Sequence, residues 1–371
     1  MSELKGECST MEQQNQIPQT MKAVVFKGID QLQLEEVPTP QISEDDILIR
    51  IDSCSICGSD VRIISNGYHR VPPGTIMGHE IAGTVVKIGD NQKNKFSFGQ
   101  RICLGADIPC GHCTWCQTGS SNNCKNTIAY GHEYPGGGFA QYMKLDKRSI
   151  DFGPLVLLPH NDLSQDEFAL TEPLACCVNG LEYCNMSIGK TILIFGAGPL
   201  GILMAKLART MGASFITLCD IDPDRLNAAT ISEADQIVPS TDEALKKIVD
   251  KHTQGEGFDV VITACPTMKA QEQSIHYTKN RGVINFFGGL PQTAGNLSFP
   301  SNILHYKEIT LLGSHGSTPR HNQIAAEMIL HKKIYVKDLL SQTVPLEQLP
   351  KAIQDLKTDK TNLKITVRPW G

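Results

Sequence analysis

The chain predicts a doubly wound, parallel α/β sheet joined to a second, mainly β domain, and three observations predict it. Between about 172 and 309, short apolar strands alternate with helical stretches. That is the texture of βαβ units, with a parallel sheet covered by helices on both faces. From 21 to about 170, short strands are instead broken by Gly and Pro, as in Pro72-Pro73-Gly74 and Pro135-Gly136-Gly137-Gly138, which reads as an irregular β domain. A length of 371 residues suits two domains of about 100–200 residues each.

Residues 1–20 are rich in Gln, Glu, Ser and Thr and lack an apolar core. They read as a disordered leader and not as a secretory signal. The first strand is expected at 21–26, with others at 46–51, 81–88 and 139–144. In the α/β region, 191–195 is a β-rich apolar run, and 199–211 has helical spacing and stops at Gly212. Residues 215–219 form the next strand, 224–232 read as helical, and 258–263 and 282–287 are further strands. From about 310 the chain mixes strand and helix and ends in a β-like stretch, 363–367. No segment offers the ~18 uninterrupted apolar residues of a membrane helix.

Lys and Arg number 34 against 39 Asp and Glu, a balance of −5. This argues against a nucleic-acid binder, which carries a basic face. Thirteen cysteines cannot all pair within one chain. With no secretory signal, a reducing, cytoplasmic compartment is expected, where clustered cysteines are more often metal ligands than disulfides.

The run Gly196-Ala197-Gly198-Pro199-Leu200-Gly201 follows the strand at 191–195 and opens a helix. In that setting the first Gly makes the turn, the second lets the backbone approach a pyrophosphate, and the third packs helix on strand. The helix N-terminus offers N–H donors and a positive dipole end to the phosphates. The next strand leads into Asp220, nineteen residues after Gly201. A carboxylate there accepts from adenosine ribose hydroxyls and repels a 2′-phosphate, so a Rossmann domain binding NAD is expected. Arg225 joins the candidate cofactor residues.

Cys110, Cys113, Cys116 and Cys124 are spaced C-x2-C-x2-C-x7-C. Four thiolates so close can wrap one tetrahedral Zn²⁺ in a site with no open position, hence structural. An iron–sulfur cluster is the rival reading. The lobe is placed at about 105–126. A second set of ligand types is scattered: Cys57-Gly58-Ser59-Asp60, Gly78-His79-Glu80 and Thr171-Glu172-Pro173. Each alone has an equally good structural reading, as a satisfied ion pair or a helix start.

Taken in order, these motifs resemble the zinc-dependent medium-chain dehydrogenase/reductase family, most of all its polyol (sorbitol-type) and threonine dehydrogenase branch, over nearly all of residues 21–371. The resemblance implies a GroES-like catalytic domain from 21–171 and 310–371 around a Rossmann domain at 172–309. It implies a catalytic zinc on Cys57 and His79, with Glu80 and Glu172 supplying the remaining positions directly or through water. Where other alcohol dehydrogenases of the family carry cysteine, Glu172 makes the site harder and richer in oxygen. Asp60 resembles a residue that orients His79, and Ser59 resembles the hydroxyl that first takes the alcohol proton. Many relatives then have a His three residues on, and this chain has Arg62, which stays protonated and is a poor shuttle. Arg62, with His69 and Arg70 nearby, suits an anion as well as it suits solvent. His132, in His132-Glu133, is a candidate substrate contact of equal standing with a plain surface loop.

The expected activity is oxidation of a secondary alcohol of a polyol, sugar or cyclitol to a ketone, by hydride transfer to NAD. Two zincs per chain, one catalytic and one structural, are expected with it. Two alternatives stay open: a dehydrogenase of a sugar phosphate or an amino alcohol (threonine or an aminocyclitol), and a non-enzymatic NAD-binding protein that keeps the fold. The expected partner is a small alcohol, with neither nucleic acid nor membrane. A homodimer or homotetramer is implied by analogy alone.

Overall fold

The structure, a computed structural model, describes residues 17–291 and 294–371. The leader reading therefore lies outside the described residues up to position 16. Beyond it, Ile17 packs beside Met21, Leu48 and Tyr142, and the first strand already begins at Thr20.

The chain divides into two compact units. One comprises the residues up to Ala175 with Ser317–His331 and Leu340–Gly371, and the other comprises Cys176–Gly316 with Lys332–Leu339. The second unit thus reaches beyond the expected 172–309, for two physical reasons. Residues 310–313 are a strand of its sheet. Lys332–Leu339 is tied to it by Lys206, whose buried Nζ donates to Asp338 Oδ2 at 2.6 Å and to Tyr335 O at 2.7 Å.

The first unit opens with β1 (Thr20–Gly28), β2 (Gln31–Pro38), β3 (Ile47–Ser55), β4 (Thr75–Ile76), β5 (Glu80–Ile88) and β6 (Arg101–Leu104), followed by β7 (Asp107–Ile108), β8 (Ile128–Ala129), β9 (Tyr142–Leu145) and β10 (Leu155–Leu158). Helix α1 (Gly58–Asn66) follows β3, and α2 (Thr171–Tyr183) carries the chain out of the unit. β2, β1 and β4 form a small sheet. β3 is the hub of the larger one. It pairs with β5 along its length, and Ile47–Arg50 pair with β9. Its Ile47, Ile49 and Ile51 join Phe26, Ile81 and Val85 in the core, and Leu48 between them packs in a second cluster. The expected strand at 139–144 begins three residues later, at Tyr142.

The second unit is a six-stranded parallel sheet of β11 (Thr191–Phe195), β12 (Phe215–Asp220), β13 (Gln236–Pro239), β14 (Phe258–Thr263), β15 (Thr278–Phe286) and β16 (Thr310–Gly313). The order is β13-β12-β11-β14-β15-β16. Counted from β11 that is 3-2-1-4-5-6, the order of the dinucleotide-binding fold. Helix α3 (Pro199–Thr210) follows β11 and is buried from Gly201 to Ala208, and α4 (Pro223–Ala228) follows β12. Leu193, Ile194, Val260, Val261 and Ile262 are wholly buried, as expected of parallel strands covered on both faces.

The chain returns to the first unit with β17 (Leu340–Pro345) and β18 (Lys364–Arg368). They complete its sheet in the order β10-β6-β5-β3-β18-β17. β18 meets the end of β3 at Thr366–Ser55 and Val367–Cys54, next to the Cys57 motif.

Candidate functional site

Two scattered motifs of the first unit converge. Cys57 caps the N-terminus of α1, and Glu80 begins β5 with His79 just before it. The donor atoms of Cys57, His79 and Glu80 all lie within 4.8 Å of one another. A thiol, an imidazole and a carboxylate so close, with His79 and Glu80 buried, are a donor set for Zn²⁺. Glu172, expected as a further ligand and buried in the first turn of α2, is not among those donor atoms, although its charge helps to raise the pKa of Lys364.

Asp60 organises the group from one turn into α1. Its Oδ2 accepts the Cys57 N–H at 2.9 Å, and its Oδ1 faces His79 Nδ1 at 3.4 Å. Burial opposes a charge on His79, but the Asp60 carboxylate and then Cys57 outweigh it and hold the imidazole pKa well above its ordinary value. Burial likewise opposes ionisation of Asp60, and His79 overrides it and holds the carboxyl below the usual range. The cluster thus keeps a proton where a divalent cation would take its place, which fits a metal site.

Lys364 is the residue the sequence did not suggest. It is 4% exposed. Its Nζ donates to Glu80 Oε1 at 2.5 Å, Glu80 Oε2 at 2.6 Å and Ile56 O at 3.4 Å. Burial works against its charge, while Glu80, Cys57 and Glu172 raise its pKa.

Ser59 Oγ lies 3.4 Å from His79 Nε2. Arg62 is exposed on α1. Arg70 does not stand free as a second cation, because it binds the Glu133 carboxylate and Thr127 O at 3.2 Å. Glu133 Oε2 also accepts the Ala129 N–H at 3.3 Å. The pair His132-Glu133 therefore splits. Glu133 serves the ion pair, whereas the half-buried His132 ring sits 5.8 Å from that of His79, edge to face. Burial first, and then the His79 charge, lower the His132 pKa to about 4. Its Nε2 is buried without a hydrogen-bond partner.

The four lobe cysteines also come within 4.8 Å of one another. Their loop springs from the paired β7 and β8. Cys113 and Cys116 are 3.4 Å apart, and the Cys110 N–H points at Cys124 Sγ at 3.3 Å. Backbone N–H groups of His112 and then Cys113 hold the Cys110 thiol down at about 6, while burial and neighbouring thiols push Cys116 up to about 12. Four sulfurs crowded with so uneven a share of protons suit a thiophilic divalent cation.

In the second unit the glycines stand as expected. Gly196 has φ +108°, a left-handed conformation suited to glycine. A Cβ on Gly201 would lie 1.9 Å from Gly196 O, whereas one on Gly198 would meet nothing within 4 Å. The loop is therefore tight where helix meets strand and open at the cap of α3, where Pro199 and Leu200 begin the helix and a pyrophosphate would rest. Asp220 ends β12. Its Oδ2 accepts the Ala197 N–H at 2.7 Å, and its Oδ1 accepts the Asp222 N–H at 3.0 Å. Arg225 follows on α4, half-buried.

Comparison with known proteins agrees with this geometry. The alcohol dehydrogenase GroES-like domain matches residues 43–152, and the zinc-binding dehydrogenase domain matches 199–331. A sorbitol dehydrogenase of Bombyx mori is 31% identical over 353 residues, covering 93% of this chain and 97% of the relative. An L-threonine 3-dehydrogenase of Chelativorans sp. is 32% identical over 300 residues, covering 80% and 84%. A putative zinc-binding dehydrogenase of Sinorhizobium meliloti, crystallised with NADP, superposes with a TM-score of 0.86 at 28% identity, over 95% of this chain and all of the other. The chain is an oxidoreductase that belongs to the zinc-dependent medium-chain dehydrogenase/reductase family, in its polyol and threonine dehydrogenase branch.

Proposed function

We propose that this chain oxidises a secondary alcohol of a polyol, sugar or cyclitol to a ketone, with NAD⁺ as hydride acceptor. The observation that carries the reading is the convergence of Cys57, His79 and Glu80 within 4.8 Å, backed by Asp60 and Lys364. Cys57 and His79 would hold zinc there, with Glu80 beside them and Glu172 as the further carboxylate the resemblance implies, and the metal when bound would supply Lewis acidity toward an alcohol oxygen. Asp60 fixes the His79 ring through Nδ1, leaving Nε2 for the metal. The Ser59 hydroxyl, 3.4 Å from His79 Nε2, would take the alcohol proton and hand its own on toward solvent, and bound NAD⁺ would supply the hydride acceptor. His132, kept neutral by burial, offers a ring nitrogen to a further substrate hydroxyl. The four lobe cysteines hold a second, structural zinc.

Asp220 supports NAD. Its carboxylate caps the strand after the glycine loop, where a 2′-phosphate would meet like charge. The S. meliloti relative was crystallised with NADP, so cofactor choice is a specific test of Asp220. The sugar-phosphate reading is weakened by the engagement of Arg70 with Glu133, which leaves exposed Arg62 without a second arginine to clamp a phosphate. A homo-oligomer is supported by β16, an outermost strand with Thr310 and Leu311 exposed.

Metal analysis tests the two-site reading. About two zincs per chain are expected, with one lost in Cys57→Ser and the other in Cys113→Ser. A single zinc that survives Cys57→Ser contradicts it.

A further inference from the structure

Two loops near His79 are fastened to each other. One is the turn after α1, where the Val71 N–H donates to Tyr68 O at 2.9 Å and Arg70 lies between them. The other runs from β8 to β9 and carries His132 and Glu133. The Arg70 guanidinium spans the two: its Nε binds the Glu133 carboxylate, and its Nη2 donates to Thr127 O at 3.2 Å. Glu133 spends its second oxygen on the Ala129 N–H at 3.3 Å. The second loop is also pressed onto the chain just ahead of His79. A Cβ on Gly131 would lie 2.7 Å from both N and O of Gly78, so backbone rests on backbone there, and the Gly138 N–H donates to Gly78 O at 2.9 Å. His132 is thus held through both chain neighbours, and its ring is flanked by those of His79 at 5.8 Å and Tyr68 at 6.1 Å. Its Nε2 is nevertheless buried without a hydrogen-bond partner. An unpaired buried nitrogen costs stability, and a site tolerates one where a ligand will pair with it.

We infer that the Arg70–Glu133 ion pair is a positioning element: it holds the His132 ring beside His79, where that ring selects alcohols carrying a second hydroxyl on the carbon next to the carbinol. This rests on the alcohol oxidation proposed above and on the part given there to His132. With the reacting oxygen beside Ser59 and His79, a ring 5.8 Å from that of His79 is within reach of a neighbouring hydroxyl. A monohydric alcohol has nothing to offer it. The ion pair supplies preorganisation. A loose loop would have to order the ring on binding, and that cost would be taken from affinity. An isolated exposed ion pair contributes little. This one is only 35% and 29% exposed on its two sides and is tied into the backbone at Thr127 and Ala129, so it fixes two loops and not merely two side chains.

The test compares the vicinal cyclohexanediol with cyclohexanol, which differ by that one hydroxyl, in the zinc-replete chain with NAD⁺. In wild type the diol should have a KM roughly tenfold below that of cyclohexanol, about the worth of one good hydrogen bond. Arg70→Met and Glu133→Gln should each raise the diol KM by roughly tenfold. The KM of cyclohexanol and both kcat values should stay unchanged, which a general loss of structure would not allow. Arg70→Lys, which keeps the charge but not the fork, should restore most of the preference. A His132→Phe chain should have lost the preference already, so adding Arg70→Met to it should change nothing further. An Arg70→Met chain that keeps the wild-type preference, or weakens both alcohols equally, overturns the inference, and so does a further loss on the His132→Phe background. Nuclear magnetic resonance of nitrogen-labelled histidine gives a reading that needs no turnover. The His132 lines, assigned by their loss in His132→Phe, should be sharp in wild type and broadened or shifted in Arg70→Met, and unaltered lines overturn the inference. Failure of the alcohol-oxidation reading looks different: wild type would oxidise neither alcohol, while the His132 lines would still respond to Arg70→Met.

Discussion

Asp220 accepts the Ala197 N–H at 2.7 Å, so the residue expected to read the ribose also ties down the phosphate loop. Its two roles separate by substitution. Asp220→Ala loses both and should weaken NAD binding by roughly tenfold or more, about 1.4 kcal/mol per tenfold. Asp220→Asn keeps a carbonyl acceptor for Ala197 while removing the charge, so it should retain most NAD affinity and gain affinity for NADP. Titration of both variants with both cofactors checks this, and an unchanged NAD-to-NADP ratio in Asp220→Asn contradicts it.

The glycine loop gives a sharper contrast. Gly201→Ala forces a Cβ to 1.9 Å from Gly196 O and should cost several degrees of melting temperature, the ~1–3 kcal/mol of an overpacked contact. Gly198→Ala meets no protein atom within 4 Å and should melt normally, yet bind NAD more weakly because the methyl occupies space at the helix cap. Calorimetric melting alongside cofactor titration reads both. Equal melting of the two variants would sink the packing argument.

Asp259 links the starts of β11 and β14. Its Oδ2 accepts the Thr191 N–H and hydroxyl, each at 2.9 Å, and its other oxygen pairs with Lys279. Burial works to raise its pKa, and Lys279 and the Thr191 donors outweigh it, so the folded-state pKa lies below the ordinary aspartate value. A lowered folded pKa gives stability that is fully present above the unfolded pKa and is lost as pH falls through the folded one. Asp259→Asn should therefore lose about 1–2 kcal/mol near neutral pH. The gap to wild type should narrow below about pH 4, near the unfolded aspartate value. Denaturant melts across pH test this, and a gap that is constant with pH would show that the charge is not the cause.

The cysteine lobe should behave as a staple. Cys113→Ser is expected to lower the melting temperature and expose the loop between β7 and β8 to protease. NAD affinity should be unchanged, because the glycine loop belongs to the other unit. Loss of NAD binding in this variant would argue against a separate structural role.

What the sequence shows best is what lies close in the chain. The glycine loop, Asp220 and the four cysteines each sit within a few tens of residues, in patterns whose geometry follows from one turn or one βαβ unit. Cys57, Ser59, Asp60, His79, Glu80 and Glu172 had no such local pattern, and only the family resemblance gave them roles. Lys364 was not legible, because it lies 284 residues from Glu80 and a lysine at the head of a strand reads as a surface residue. Lys206 misleads in the same way. Within a helical pattern it looks solvated, yet it is 2% exposed and ties Lys332–Leu339 to the second unit. The edge strand β16 was assigned to the wrong domain because a strand of four residues does not announce which sheet it joins. Arg70 looked free until Glu133, 63 residues on, was seen beside it.

The most direct measurement of the central claim is absorbance of reduced nicotinamide when the zinc-replete chain is offered polyols, sugars and cyclitols with NAD⁺. The account predicts turnover of at least one secondary alcohol in this class, abolished by chelation, restored by zinc, and reduced by at least a hundredfold in His79→Ala. Formation of no reduced nicotinamide with any of these substrates, or turnover undiminished in His79→Ala, would contradict it.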